Sequence, residues 1–267
     1  MLIKSLLEGN YQDDNHYITV QILSENEEGI EINVDTTQEA VTHTREVNGK
    51  NIYDIRVGRE NCWLISGGIL IFNEKRELAL GLRDGNSVEG FSFTNIASGR
   101  CDRDLIEHCF EELESELLVF GKRGARWEFL KIGEQSLQTV KCNQDDVKRE
   151  FDKCVAKCSD EGFLTEYLQK EPHKKNIGKI RYFLDGQFQY EFNCFLFVDK
   201  ENKTIEYRLF QHYDFSEFEE VKIFFNEGTG YGCFKSLEAI KGLIEVERVW
   251  GSSLVVPLVK EVVKQYR

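Results

Sequence analysis

The sequence has no apolar run approaching the roughly 20 residues that a membrane-spanning helix needs. Its first residues, MLIKSLLEGNYQDDN, turn polar before the apolar core of a secretory signal could form. A soluble, cytoplasmic protein with no membrane partner is expected. No Cys-x-x-Cys pair occurs either: Cys62, Cys101, Cys109, Cys142, Cys154, Cys158, Cys194 and Cys233 are scattered along the chain. Reduced thiols are therefore expected rather than a disulfide framework. Cys154 and Cys158 stand one helical turn apart with His173 beyond them, but no second close-spaced pair completes a structural zinc set. Positive charge is also in deficit, with Lys+Arg 34 against Asp+Glu 47, a net charge of -13 and a pI near 5.0. That balance excludes nucleic acid as a partner, because affinity for phosphate backbones comes largely from Lys and Arg. A small phosphorylated ligand is not excluded, since it needs only a local basic cluster. There is no internal repeat and no low-complexity tract.

What is present is a chain of 267 residues, enough for one large or two small domains with a proper core. Short β-like runs, HYITVQIL, GIEINVDTT and NIYDIRV, separated by polar turns, predict a small β-rich region over 1–58. Within 59–267, GGILIF and LALGL read as two strands joined by Asn73-Glu74-Lys75-Arg76, a hairpin. Residues 143–171 carry a helical period broken near Gly162 and predict a two-helix insertion. Strands are predicted again over 180–184, 188–198, 204–210 and 221–225, and helices over 236–243 and 257–266. Lys174 to Lys179 reads as a polar connection and a candidate phosphate contact.

Seven acidic residues crowd the stretch GRCDRDLIEHCFEELESELLVF, residues 99–120. At about 100° per residue, Leu105, Ile106, Cys109, Phe110, Leu113 and Leu117 share one face of the predicted helix. Glu107, Glu111 and Glu114 fall on the opposite, solvated face. Glu112 and Glu116 lie at the edge of the apolar stripe, where a carboxylate costs free energy unless it is paired or binds a cation. His108, one turn before Glu112, is a candidate base, with a partly exposed surface histidine as the plainer expectation. The basic run Gly121-Lys122-Arg123-Gly124-Ala125-Arg126 reads as a helix C-terminus and turn, or as a phosphate contact.

The hairpin, the loop, Gly99 and the helix pattern E-L-E-S-E-L-L together resemble the Nudix hydrolase family over about residues 62–133, and FFNEGTG followed by SLEAIKGLI resembles its closing segment. The family box places an arginine, a glutamate, an aliphatic residue, a glutamate pair and a glycine along one helix. Here Glu111 takes the arginine position, Glu112 the first glutamate, Ser115 and Glu116 the pair, and Leu118 the glycine. Asp102 or Asp104 stands nearest the earlier box glutamate. The resemblance implies an α+β fold, a Nudix-like α/β/α sandwich with an N-terminal β-rich extension and a helical insertion. It further implies Mg²⁺ or Mn²⁺ held by Glu112 and Glu116, with Glu227 as base or extra ligand.

Arg83, Arg123 and Arg126 are the candidate phosphate contacts, and Trp63, Phe91 or Phe93 could stack on a base. The implied activity is a metal-dependent pyrophosphohydrolase acting on a nucleoside diphosphate linked to another moiety, ADP-ribose-like or a dinucleotide. The alternative is a catalytically impaired Nudix-like domain serving as a nucleotide sensor or protein-interaction module, because one helix carboxylate is replaced by Ser115. A third reading makes the acidic helix a salt-bridged surface helix of an unrelated α+β protein. A homodimer is common in the family and is an expectation here.

Overall fold

Runs rich in Ile, Val, Phe and Tyr pair into strands here, because branched and aromatic side chains pack well on a pleated, partly buried surface. The computed structural model describes residues 17–34, 40–47, 50–57, 62–82, 93–95, 98–134, 136–157, 174–200, 203–226 and 229–245. The strands are β1 (Thr19–Glu25), β2 (Gly29–Val34), β3 (Ala40–Val47), β4 (Lys50–Val57), β5 (Trp63–Phe72), β6 (Leu78–Leu82), β7 (Phe93–Asn95) and β8 (Ser98–Arg100). Helix α1 (Leu105–Glu116) is followed by β9 (Leu117–Arg123), β10 (Arg126–Ile132), β11 (Leu137–Thr139) and helix α2 (Gln144–Lys157). The rest comprises β12 (Lys174–Leu184), β13 (Gln187–Asp199), β14 (Thr204–His212), β15 (Glu220–Phe225), β16 (Gly232–Lys235) and helix α3 (Leu237–Glu245).

Six strands close on themselves. β1 is antiparallel to β2, β2 runs parallel to β12, and β12, β13 and β14 are successively antiparallel. β14 then runs parallel to β5, and β1 returns to β5 through Thr19 opposite Leu64. Side chains fill the ring, as in small barrels: Val20, Ile32, Ile180, Cys194, Leu196, Ile205 and Tyr207 belong to one buried cluster. Beyond the ring, β5 also carries β8 and, at its far end, β6, which pairs with β7 and β16. A second, antiparallel sheet has the order β11-β10-β9-β15, and β3 and β4 form a separate hairpin.

The helices fill and cover these sheets. α1 packs against β5 and β8 on one side and β9 and β10 on the other. Leu105, Cys109 and Leu113 thus share a core with Ile65 and Tyr207 of the large sheet and with Val119 and Leu130 of the small one. α2 covers the other face of the small sheet, where Phe120, Phe129, Phe151 and Phe224 form an aromatic cluster. Each such ring pair contributes about 0.5–1.5 kcal/mol beyond its buried area. α3 seats Ile240 among Leu70, Phe72, Leu80 and Phe197.

The expected Nudix-like α/β/α sandwich is not what this chain builds. Among the described residues there are sixteen strands and only three helices, and the large mixed sheet curls into a ring. The physical reason lies in strand length: β12 and β13 span 11 and 13 residues, and a strongly twisted sheet of such strands closes more readily than it lies flat between helix layers.

Several local expectations change with it. The acidic helix ends at Glu116, not Phe120, because Leu117 to Phe120 are all buried and continue as β9 from an extended Leu117. The basic run is therefore no helix C-terminus. It is the β9–β10 hairpin, with Arg123 opposite Arg126 and Gly124 at φ 60° in its two-residue turn, a conformation glycine adopts without strain. Lys174 to Lys179 is not a loop but the start of β12, paired with β13. The predicted strands after residue 180 are present as β12 to β15, and the hairpin turns where expected, Phe72 facing Leu78. α2 occupies the first half of the predicted insertion; residues 158–173 and 246–267 lie outside the described residues. No helix among the described residues is long and apolar enough to cross a membrane.

Candidate functional site

Helix α1 starts where Asp104 accepts hydrogen bonds from the backbone N–H groups of Ile106 (3.0 Å) and Glu107 (3.1 Å). Such an N-cap contributes about 1 kcal/mol. Tyr190 of β13 donates to the other Asp104 oxygen at 2.6 Å, which ties the helix start to the ring. Asp104 is thus a structural cap rather than a replacement for the missing box glutamate. Burial and the Asp104 hydrogen bond both push the Tyr190 hydroxyl well above the usual tyrosine range.

The wedge between two sheets buries more of α1 than a single apolar stripe requires. Glu116 is only 8% exposed and His108 only 3%, while Glu112 is half-buried. The partly exposed histidine expected from the sequence is therefore corrected: His108 is interior. Its Nδ1 lies 3.5 Å from Asp102 Oδ1, and its Nε2 lies 3.9 Å from Glu112 Oε1. Burial lowers the His108 pKa, opposed by a backbone hydrogen bond with Gly99 and by the charge of Asp102. Among the described residues, its buried Nε2 has no hydrogen-bond partner.

Asp102 is itself held by Arg103, whose Nε and Nη2 donate to its two oxygens at 2.7 Å each. That pairing keeps the Asp102 carboxyl below the usual carboxylate range. Arg103 also pairs with Glu111. A cation from the preceding turn thus stands beside Glu111. Glu114 pairs with Lys131 at 2.6 Å, so two of the three outward glutamates are tied to the surrounding structure.

Gly99 explains how Glu112 is placed. It faces Gly67 across the β5–β8 pairing, directly beneath α1. A Cβ on Gly99 would stand 2.6 Å from Glu112 Oε1 and 2.9 Å from Oε2, so the carboxylate lies flat on the glycine. Because the obstructing atoms end a flexible side chain, Gly99→Ala is expected to displace the carboxylate with little loss of stability. The expected result is a melting midpoint within about 3 °C of wild type, equivalent to roughly 1 kcal/mol, and cation affinity reduced about tenfold. An unchanged affinity would show that Glu112 takes no part in cation binding.

Three chain segments converge at the C-terminal end of α1. Asn226 donates its backbone N–H to the Glu116 carbonyl at 2.7 Å and its side-chain amide to the Ser115 carbonyl at 2.9 Å. Thr229 donates its backbone N–H (3.2 Å) and its hydroxyl (2.9 Å) to the Leu82 carbonyl. Asn226 is therefore tied to the end of α1, and Thr229 to the end of β6. Arg83 and Glu227 lie outside the described residues; Leu82, Asn226 and Thr229 are their described neighbours.

Arg123 and Arg126 are not brought to this face. β9 leaves Glu116 and runs seven residues to Arg123, a distance of about 20 Å at about 3.3 Å per residue. There Arg123 pairs with Glu217 at 3.1 Å and covers the Phe218 ring at 5.0 Å. Trp63 is packed against the main core, Phe91 lies outside the described residues, and Phe93 belongs to β7. Cys158 and His173 also lie outside the described residues, and none of the seven described cysteines is in a disulfide.

Among the described residues no group of three or more His, Cys, Asp or Glu side chains forms a metal-ligand set. The roles that sequence reasoning passed over are the Arg103 clamp on Asp102, the close approach of Gly99 to Glu112, and the contacts of Asn226. Only the helix cap carried a readable local signal, an aspartate immediately before the apolar period. Comparison with known proteins returns no matching family model, no matching curated protein and no matching solved structure.

Proposed function

We propose that the chain is a divalent-cation-dependent hydrolase that cleaves the diphosphate of a nucleoside diphosphate linked to another moiety, ADP-ribose-like or a dinucleotide. The observation that carries this reading is that Asn226, after β15, binds the end of α1 that bears Glu116, while Thr229 binds the end of β6. Glu112 and Glu116 hold the cation, with Glu112 positioned by Gly99. When bound, the cation neutralises diphosphate charge and lowers the pKa of a water molecule. Glu227, next to the stapled Asn226, is the candidate base, and Arg83, next to Leu82, the candidate phosphate contact. The partial Nudix box of the sequence supports the same assignment of Glu112 and Glu116.

A second reading, a nucleotide sensor or interaction module without turnover, draws on one specific observation. The described residues assemble no ligand set of three, and Arg123 and Arg126 stand at the remote hairpin. The two readings separate in a turnover assay. ADP-ribose, dinucleotides and sugar nucleotides are incubated with Mn²⁺ or Mg²⁺, and nucleotide release is compared between wild type and Glu116→Gln. The hydrolase reading expects release from at least one substrate, reduced about 100-fold or more in the variant, as for loss of a group that stabilises transition-state charge. Folded wild type that binds nucleotide but releases nothing would favour the sensor.

A further inference from the structure

Strand β15 stands last in the order of the small sheet, with β9 on one side only. Asn226, just past its end, donates its backbone N–H to Glu116, while Phe225 donates at 3.1 Å to Gly230 on the opposite side. Residues of an antiparallel strand alternate in this way, so Val221 and Ile223, like Phe225, turn their backbone N–H and C=O groups away from β9. Phe224 and Tyr231 form a bridge on that side, and a Cβ on Gly232 would stand 3.0 Å from the Ile223 carbonyl oxygen. Beyond Gly232 the two chain segments part. β16 pairs with β6, and among the described residues no strand pairs with the Val221 end of β15 on this side.

The space between β15 and β16 is a groove of about 720 Å³, within the range of clefts that hold ligands. Its apolar part comes from Phe215 and Phe234, whose rings lie 5.5 Å apart, and from Val155 of α2, which is 51% exposed. Its charge is mostly negative. Glu220 is paired with Lys222 at 3.3 Å. Glu74, Glu77 and Glu219 instead accept hydrogen bonds from neutral groups: the Phe215 N–H, the Asn73 amide and the Gly124 N–H. Among the described residues none of these three pairs with Lys or Arg, so the groove wall sets three carboxylates against Lys75.

We propose that this groove binds an extended, Lys- or Arg-bearing peptide segment of a partner protein, which adds to β15 as a further strand. Main-chain hydrogen bonds to Val221 and Ile223 supply affinity, and alternate side chains supply selectivity, as in other strand additions. Successive side chains of an extended segment point to opposite sides, so a segment that alternates apolar and basic residues presents both chemistries that the groove takes. A chain of net charge -13 repels an acidic segment before contact. A second copy of this chain carries the same carboxylates and is the poorer occupant. The inference does not depend on the cation site of α1.

The test uses the full chain and two short synthetic peptides, one alternating Lys and Val, the other Glu and Val. Binding is read by calorimetry for wild type and for the double variant Glu74→Gln with Glu219→Gln, which keeps an acceptor at both hydrogen bonds and removes two charges. Hydrogen exchange of wild type is followed with and without each peptide. The expected result is binding of the Lys/Val peptide alone, weakened about tenfold in the double variant, and exchange at Val221 and Ile223 slowed about tenfold or more by that peptide. The exchange measurement needs no variant. Equal binding of the two peptides, or binding that leaves the Val221 and Ile223 amides unprotected, would overturn the proposal. Amides protected without peptide would overturn it too: protection lost on dilution would assign the edge to a second copy, and protection at every concentration to the chain itself.

Discussion

Gly67→Ala is expected to destabilise the chain by about 3 kcal/mol or more, the upper end for forcing extra volume into a packed core. A Cβ at this position would meet Tyr207 Oη at 2.3 Å, its Cζ at 2.5 Å and Cys109 Sγ at 3.0 Å. Tyr207 has no room to yield. It is fully buried, its hydroxyl donates to the Leu105 carbonyl at 2.5 Å, and its ring packs on Phe192. The tyrosine thereby locks the first turn of α1 onto the ring of strands, and Gly67 is the space it occupies. Chemical denaturation of Gly67→Ala should show a much lower midpoint. Adding Tyr207→Leu should cost less in the Gly67→Ala background than in wild type, because the two substitutions act on one contact. Full additivity would mean that the contact is not what limits the site.

Alkaline solution should unfold the protein through the same cluster. Burial pushes the Cys109 thiol up to about 12 and raises Cys101, Cys194 and Tyr207 well above their ordinary values. Each keeps its proton in the folded chain. The unfolded chain begins to release thiol protons near about pH 8.5 and the tyrosine proton near about pH 10. Above these values the unfolded state binds fewer protons than the folded one, so stability falls as pH rises, and the loss continues towards the folded values. Three thiols at about 1.4 kcal/mol per pH unit each make the loss several kcal/mol between pH 8 and about 10.5. The melting midpoint should drop on the order of 10 °C or more, and Cys109→Ala should make the decline shallower. A flat midpoint across that range would contradict the burial assigned to these groups.

Much of the fold was legible in local pattern. The strands after residue 180, the turn at Asn73 and the apolar stripe of α1 follow from alternation and helical period. The closure of the ring was not, because it depends on pairings distant in sequence, such as Ile30 with Ile180, for which no local pattern selects a partner. The site shows the same division. A helical wheel sets Glu112 and Glu116 apart from the solvated glutamates; Glu112 is half-buried and Glu116 is buried more deeply than a stripe edge implies. It treats His108 as a surface residue because it assumes one buried face, whereas α1 is wedged between two sheets. The basic run was misread for a related reason: composition alone does not distinguish a charged helix end from a hairpin turn. Asn226 carries no local signal, since its role arises only when the end of β15 meets the end of α1.

The most direct test of the central claim, that the carboxylate face of α1 binds a divalent cation, is the thermal melt of wild type and Glu112→Gln with and without Mn²⁺. At about 100 times the dissociation constant a bound ion stabilises the folded state by about 2.7 kcal/mol, or about 5–10 °C for a chain of this size. The account expects that rise in wild type and none in Glu112→Gln. Equal shifts in the two proteins, or no shift in either, would contradict it.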